Sequence, residues 1–305
     1  MKTIKIIAAV IFASLGFTST AQQEPQFTQY MDNMQYYNPA YAGSREMMNI
    51  TALHRQQWAG ISGAPMTTTL AMNTPLRYES LGVGLSLMND KIGPTNATWI
   101  NADVSYALRF KKHGGRLSFG VKAGINLLNG DLSALSKQDD SDNMLNTRYQ
   151  NVVQPNIGGG IYYHSKQWFV GLSVPKIVQN VKDISNINYL DQRHYYLTLG
   201  GYINASRMLK LRPSVMLKVT ENAPLALDGS LAFIIYDKLW LGANYRLEES
   251  AGVFIQYQIS NQFKIGYAFE MATHKLRTYN AGSHEIMLSY DFLFKKKSLS
   301  SPRYF

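Results

Sequence analysis

The chain contains no cysteine, and that one absence removes two classes of protein: small secreted domains stapled by disulfides, and centres in which thiolates hold a metal. Long apolar runs are also scarce. Apart from one stretch near the N-terminus, which is itself short, nothing approaches the roughly 20 residues that cross a bilayer as a helix. The six histidines, His54, His113, His164, His194, His274 and His284, lack the paired spacing of a metal site, and no His-Glu-x-x-His motif occurs. No metal and no cofactor are expected. The basic residues are spread over many segments rather than gathered on one helix or groove, which argues against nucleic acid as a partner.

What the chain has instead is alternation. From Arg116 to Leu128, Leu117, Phe119, Val121, Ala123, Ile125 and Leu127 fall on one face, while Arg116, Ser118, Gly120, Lys122, Gly124 and Asn126 fall on the other. The same period of two returns in Thr98, Ile100, Ala102, Val104, Tyr106, Leu108 and Phe110, set against Trp99, Asn101, Asp103, Ser105, Ala107 and Arg109. It returns again in Leu209, Leu211, Pro213, Val215, Leu217 and Val219, opposite Lys210, Arg212, Ser214, Met216, Lys218 and Thr220. Between Met47 and Phe294 about fourteen such segments occur, most long enough to cross a membrane as tilted strands, so the expected fold is all-β: a transmembrane antiparallel β-barrel.

The expected strands are 47–57, 66–74, 80–89, 97–110, 115–128, 155–164, 167–174, 194–205, 209–220, 224–236, 239–247, 251–259, 262–270 and 284–294. Links after even-numbered strands are brief. Those after odd-numbered strands include the long 129–154, 175–193 and 271–283, although the links at 221–223 and 248–250 are short. Bacterial barrels have short periplasmic turns and longer outward loops, so this alternation places the long links outside and, with an even count, both termini in the periplasm. A soluble all-β protein with its apolar face inward is the structural rival. A barrel this wide is hard to fill with a dry core, whereas a polar lumen carrying Arg109, Lys122, Lys218, Arg246, Glu270 and Asp291 can hold water or a plug. Tyr106, Phe110, Tyr195, Tyr245, Tyr257, Tyr267, Tyr290 and Phe292 lie on the apolar face, many near strand ends, as interfacial girdles do.

The N-terminus supplies a compartment. Lys2 and Lys5 precede the apolar stretch Ile6 to Phe17, and Ser19-Thr20-Ala21 offers the small-x-small pattern of a cleavage site, so 1–21 reads as a signal peptide and the mature chain is expected to begin near Gln22. The alternative, an anchoring helix, needs a longer run. Lys2 and Lys5 account for two of the formal net charges of +10, leaving +8 on the mature chain. That excess permits acidic partners and is equally that of a solvated basic surface or lumen.

Residues 22–46 break the alternation and carry Gln26-Phe27-Thr28-Gln29-Tyr30-Met31, then Tyr37-Asn38-Pro39-Ala40-Tyr41-Ala42-Gly43-Ser44. This segment resembles the N-terminal signature of the PorP/SprF family of the Bacteroidetes type IX secretion and gliding-motility apparatus. Further blocks are similar to that family's in the same order: His54-Arg55-Gln56-Gln57-Trp58-Ala59-Gly60, Gly63-Ala64-Pro65-Met66-Thr67, Gly82-Val83-Gly84-Leu85-Ser86, Asn89-Asp90-Lys91-Ile92-Gly93 and the closing Ser301-Pro302-Arg303-Tyr304-Phe305. The resemblance implies an outer-membrane barrel, not an enzyme, that helps a particular secreted protein reach or stay on the cell surface. Its implied partners are the C-terminal region of a secreted type IX substrate, such as an adhesin-like protein, a periplasmic peptidoglycan-linked lipoprotein, and outer-membrane lipid. The competing functional class is a channel or transporter for a small or hydrophobic solute.

Asn38-Pro39 fixes extended or turn geometry before the proline, and Gly43 permits a backbone conformation closed to other residues. The segment 22–46 is therefore expected to fold as a plug against the lumen or its periplasmic mouth, with Phe27, Gln29, Tyr30, Asn38, Pro39, Ala40, Tyr41 and Gly43 as its motif and Tyr30, Tyr37 and Tyr41 packing on lumen groups. The alternative is a flexible periplasmic arm. The barrel would then be 47–294, followed by a basic tail, 295–305, led by Lys295-Lys296-Lys297, which either meets an acidic partner or solubilises the end of the chain. Trp58, Gly60, Gly63 and Pro65 sit on the first outward link, as a docking loop with Trp58 for its anchor or simply as turn residues beside an interfacial tryptophan.

Asp139-Asp140-Ser141-Asp142-Asn143 lacks the later glycine and closing glutamate of a helix-loop-helix calcium loop, which leaves a solvated acidic loop or a weak surface calcium site. Gly158-Gly159-Gly160 lies inside an alternating strand rather than opening a helix, so it is not a phosphate cradle and its glycines are expected to permit close lumen contacts. No nucleophile, base and orienting acid are brought together by the expected strands.

Overall fold

A computed structural model describes residues 24–45, 47–76, 80–110, 114–134, 148–179, 181–184, 187–190, 192–221 and 223–292. The alternating segments become β1 (Met48–Gln56), β2 (Met66–Pro75), β3 (Leu81–Ile92), β4 (Thr95–Phe110), β5 (Gly115–Asp131), β6 (Arg148–His164) and β7 (Trp168–Val174). The chain continues through β8 (Val181–Ile184), β9 (Ile187–Leu190), β10 (His194–Gly201), β11 (Ile203–Asn204), β12 (Leu209–Thr220), β13 (Ala226–Ile235), β14 (Leu239–Arg246), β15 (Ser250–Gln258), β16 (Phe263–Ala272) and β17 (Ser283–Phe292). Every pairing is antiparallel. β1 meets β17 from Met48↔Phe292 to Gln56↔His284, and β10 meets β12, which closes the sheet. β11 continues β10 along the same partner after a break at Tyr202, so the ring is a closed 14-strand barrel. Closure matters because backbone groups facing lipid find no water to bond.

The period of two decides which side faces out. Val104 and Val121 are 55% and 61% exposed on the outer surface, while their neighbours Asp103 and Lys122 are buried inside. Slipping β5 by one residue would turn Lys122 toward lipid at a cost of about 2–4 kcal/mol near the midplane, so the pattern itself pins the register. Tyr106, Phe110, Tyr245, Tyr257 and Tyr267 are exposed on the same outer surface. No helix among the described residues is long and apolar enough to cross a membrane.

The structure departs from the sequence reading in three links. Asp90 to Asn96 is expected as a loop, yet β3 and β4 run on to a two-residue turn at Gly93-Pro94, where the Asn89 amide donates to Asn96 Oδ1 (2.7 Å) and Thr98 Oγ1 (2.8 Å) across the hairpin. β5 and β6 extend past the expected limits of 128 and 155 into part of the link 129–154. The register shifts between Leu128 and Gly130, and Asn151, at φ 52°, donates its backbone N–H to Asn129 Oδ1 (2.7 Å). A bulge of this kind breaks the period by which a strand is recognised. In the link 175–193, β8 and β9 form a separate two-stranded sheet, too short for alternation to reveal.

Candidate functional site

Residues 24–45 form three short helical turns, Tyr30–Asp32, Met34–Tyr37 and Pro39–Tyr41, all within the barrel. Their local shape follows from Asn38 and Pro39. The Asn38 side-chain Oδ1 accepts from the Ala40 N–H (2.9 Å), and Pro39 opens the last turn at the position where a missing N–H costs nothing. The Asn38 amide also donates to Ile161 O (3.0 Å) on β6, so one side chain caps the turn and ties it to the wall.

The segment touches strands on all sides. Thr28 and Gln29 donate their backbone N–H groups to the Glu285 carboxylate on β17, at 2.9 and 2.8 Å, and Tyr30 Oη bonds Ser214 Oγ on β12 at 2.8 Å. Gln35 bonds Asp103 on β4, and Lys122 on β5 donates to the carbonyls of Gln35 (3.3 Å) and Tyr36 (3.2 Å). Ser105 donates to Ala42 O (2.6 Å) and Ser173 on β7 to Tyr37 O (2.9 Å). Rings meet edge to face at Tyr37–Tyr196 (5.1 Å) and Tyr41–Tyr162 (5.5 Å). Phe27, Tyr30, Tyr37 and Ala40 are fully buried.

Close approach is made possible by missing side chains on the wall. A Cβ at Gly120 would strike the backbone of Pro39 and Ala40, and one at Gly82 the backbone of Ala42. Gly160 faces Asn38 in the same way, whereas Gly158 is pressed by Pro175.

Charge fixes the segment at three further points. Glu24 meets Lys176 (3.1 Å) and His194 (3.7 Å) and accepts from Tyr196 Oη (2.6 Å). Asp32 meets Lys264 (2.5 Å) and Arg212 (3.5 Å), and Arg45 lies 3.8 Å from Asp291. Burial alone would raise both carboxyls. The groups beside them, the His194 imidazole, Lys176 and the Tyr196 hydroxyl for Glu24 and Lys264 and Arg212 for Asp32, outweigh it and hold both well below the ordinary carboxylate range.

Behind the Thr28–Gln29 turn lies a charged cluster of the wall itself, buried except for Glu249 at its edge. Arg55, with no exposed surface, meets Glu270 (2.6 Å) and Glu285 (3.4 Å), and Arg246, equally buried, meets Asp228 (3.0 Å), Glu249 (3.1 Å) and Glu270 (3.4 Å). Four carboxylates thus face two guanidiniums, and the N–H groups of Thr28 and Gln29 supply part of the missing positive potential.

A match to the family described as type IX secretion system membrane protein PorP/SprF runs over residues 19–290. The chain belongs to the PorP/SprF family. It is an outer-membrane component of type IX secretion, a system whose other components and substrates such a barrel meets, and the family is one of secretion-system membrane proteins rather than of enzymes. No curated protein sequence matches the chain. Among solved structures this PorP/SprF protein is similar to the Acinetobacter baumannii outer membrane protein Omp33, with TM-score 0.47 and 9% identity over 82% of this chain and 100% of that one. It is also similar to the KdgM porin, with TM-score 0.38 and 11% identity over 80% and 99%. For Salmonella typhi OmpF the TM-score is 0.36, with 9% identity over 80% and 97%.

Of the lumen charges expected from sequence, Lys122, Lys218, Arg246, Glu270 and Asp291 are buried inside the PorP/SprF barrel. Arg109 is not: it shares their face but is exposed at the end of β4, at the mouth rather than in the interior. Gln29 meets Gln256 and Glu285, and Gly43 turns at φ 70° beside Pro75 and Gly82. Trp58, at φ 46°, is half-buried. Its loop is zipped to the link before β17 by Ala59 N–H to Gly282 O and Ala281 N–H to Ala59 O, both 2.8 Å, and Gly63 O accepts from Gly93 N–H (2.9 Å) on the other side. Gly60 and Gly63 are exposed, with positive φ, and Pro65 O accepts from Gln57 N–H (2.9 Å). The segment 1–21 expected to be a signal peptide, the Asp139–Asn143 run and the tail 295–305 lie outside the described residues. Sequence reasoning missed Arg55, Glu285, Asp228, Lys264, Glu24 and Asp32 as charged members of the interior. For the four on strands the signal is parity: each lies on the buried face of its strand.

Proposed function

We propose that this barrel is a docking component of type IX secretion rather than a conduit, and that residues 22–46 are its plug. What carries the reading is the occupied lumen: residues 24–45 engage the wall through backbone bonds, ring contacts and three charged anchors, where a solute channel keeps a water-filled interior. A segment held so extensively serves retention of a partner better than passage of a solute. The partner is a secreted protein, an adhesin-like substrate held through its C-terminal region by the outward links 129–154, 175–193 and 271–283, with Trp58, Gly60, Gly63 and Pro65 on the same rim. The opposite end, with the strand ends Met48 and Phe292, faces the periplasm and a peptidoglycan-linked lipoprotein.

Affinity purification from outer membranes tests this. The expected result is recovery of a large secreted protein or a periplasmic lipoprotein with the barrel. A barrel that purifies alone and shows solute-dependent conductance contradicts docking and favours transport.

A further inference from the structure

The apolar band on the outside of the barrel is not of even height. On β5 it runs from Leu117 to Leu127, about 33 Å at about 3.3 Å per residue, which a tilt of about 40° reduces to the usual height of about 25 Å. On β1 it runs only from Met48 to Ala52, about 13 Å along the strand, before His54 and Gln56 stand exposed on the same face. β2 repeats the pattern, with Leu70 and Met72 enclosed between Thr68 and Thr74. Lipid headgroups must therefore sit lower against β1 and β2 than against β5.

Polar side chains fill the outer surface above Ala52 from β16 to β4. His54 Nδ1 bonds Thr68 Oγ1 (2.8 Å), His284 Nδ1 bonds Tyr267 Oη (2.7 Å), and the Asn89 amide donates to Asn96 and Thr98. The cross-strand partners His284↔Gln56, His54↔Thr68, Thr68↔Asn89 and Asn89↔Thr98 make this one stripe.

The rim above the stripe is basic. Its links 57–65, 93–94 and 273–282 are joined by the bonds of Ala59 with Gly282 and Ala281 and of Gly93 with Gly63, and they contain no aspartate or glutamate. Lys91, Lys275 and Arg277 are exposed there, and none of the three has an ion-pair partner among the described residues. Every carboxylate of β1 to β4, β16 and β17, namely Asp90, Asp103, Glu270, Glu285 and Asp291, is buried in the interior. Glu221 and Glu248, by contrast, are exposed in the short links after β12 and β14, so the acid-free stretch is local.

We infer that this side of the barrel binds a phosphate-bearing lipid headgroup of the outer leaflet. The stripe lies on the surface that faces lipid, which favours a headgroup over an acidic protein segment. Acyl chains lie along Ile50, Leu70 and Leu288, the polar headgroup meets the imidazoles and amides, and its phosphates reach the cations above. The inference takes from the docking reading only that these links face outward; lipid binding in detergent and recovery of a secreted partner can fail independently.

Native mass spectrometry of the full barrel released from detergent counts bound lipids one at a time. The probes are diphosphoryl lipid A, the same lipid with both phosphates removed, and a tetraglutamyl peptide as competitor. The expected result is saturable binding of diphosphoryl lipid A, about tenfold or more tighter than that of the dephosphorylated form and weakened about tenfold or more by Lys275→Gln combined with Arg277→Gln. Lys91→Gln is expected to weaken it as well, while Lys238→Gln, exposed at the other end of the barrel, leaves it unchanged. No saturable binding, equal binding of the dephosphorylated lipid, or a double variant that binds as its parent does overturns the inference. So does a tetraglutamyl peptide that competes at the concentration of lipid A itself, a result that would assign the rim to an acidic protein.

Discussion

Replacing Arg55 by methionine is expected to destabilise the barrel by about 3–5 kcal/mol, the range found when one partner of a buried ion pair is removed and the other is left behind. Arg55 has no exposed surface and serves two carboxylates, Glu270 and Glu285. Glu270 keeps Arg246 at 3.4 Å, but Glu285 keeps only neutral donors from Thr28 and Gln29. The loss should therefore fall on Glu285 and on the Thr28–Gln29 turn it holds. Adding Glu285→Gln to Arg55→Met removes the stranded charge and should restore part of the stability, which a denaturant titration in micelles measures as a coupling energy. An Arg55→Met protein as stable as its parent would mean that the cluster does not exist as described.

Gly120→Val should free the N-terminal segment from the wall without disturbing the strand that bears the substitution. A Cβ at Gly120 meets backbone atoms of Pro39 and Ala40, which cannot swing aside as a long side chain can. The outer face of β5 and its ladder with β4 and β6 do not change. The absence of cysteine makes the measurement clean, because Ala42→Cys introduces the sole thiol and Ala42 is buried. A polar maleimide should label that thiol at least about tenfold faster in the Gly120→Val background, since tenfold corresponds to about 1.4 kcal/mol of opening. Gly229→Ala, where a Cβ meets only Tyr245 O at 3.9 Å, should leave the rate unchanged. Equal labelling in all three backgrounds contradicts the close fit of segment and wall.

The barrel was legible because lipid and lumen impose opposite demands on successive residues, and β4, β5 and β12 obey that rule over most of their length. Legibility failed where the rule is suspended. The bulge at Leu128–Gly130 hides the upper part of β5 and β6, and the polar pairs of Asn89, Asn96 and Thr98 make a continuing hairpin resemble a loop. Inside the barrel, parity identifies which residues face the lumen but not which of them meet. Glu270 could be placed on the inner face from β16 alone. Its contacts with Arg55 and Arg246 depend on strands 215 and 24 residues away, and its bond to Thr28 on a segment with no period at all. For Glu24 and Asp32, which belong to that segment, no pattern in the sequence indicates a partner.

The measurement that bears most directly on a plugged docking barrel is single-channel conductance in planar bilayers, comparing the mature chain with one lacking residues 22–46. A silent or nearly silent mature protein and an open, steadily conducting deletion agree with it. A mature protein that already conducts as an open pore, or a deletion that inserts yet stays closed, contradicts it.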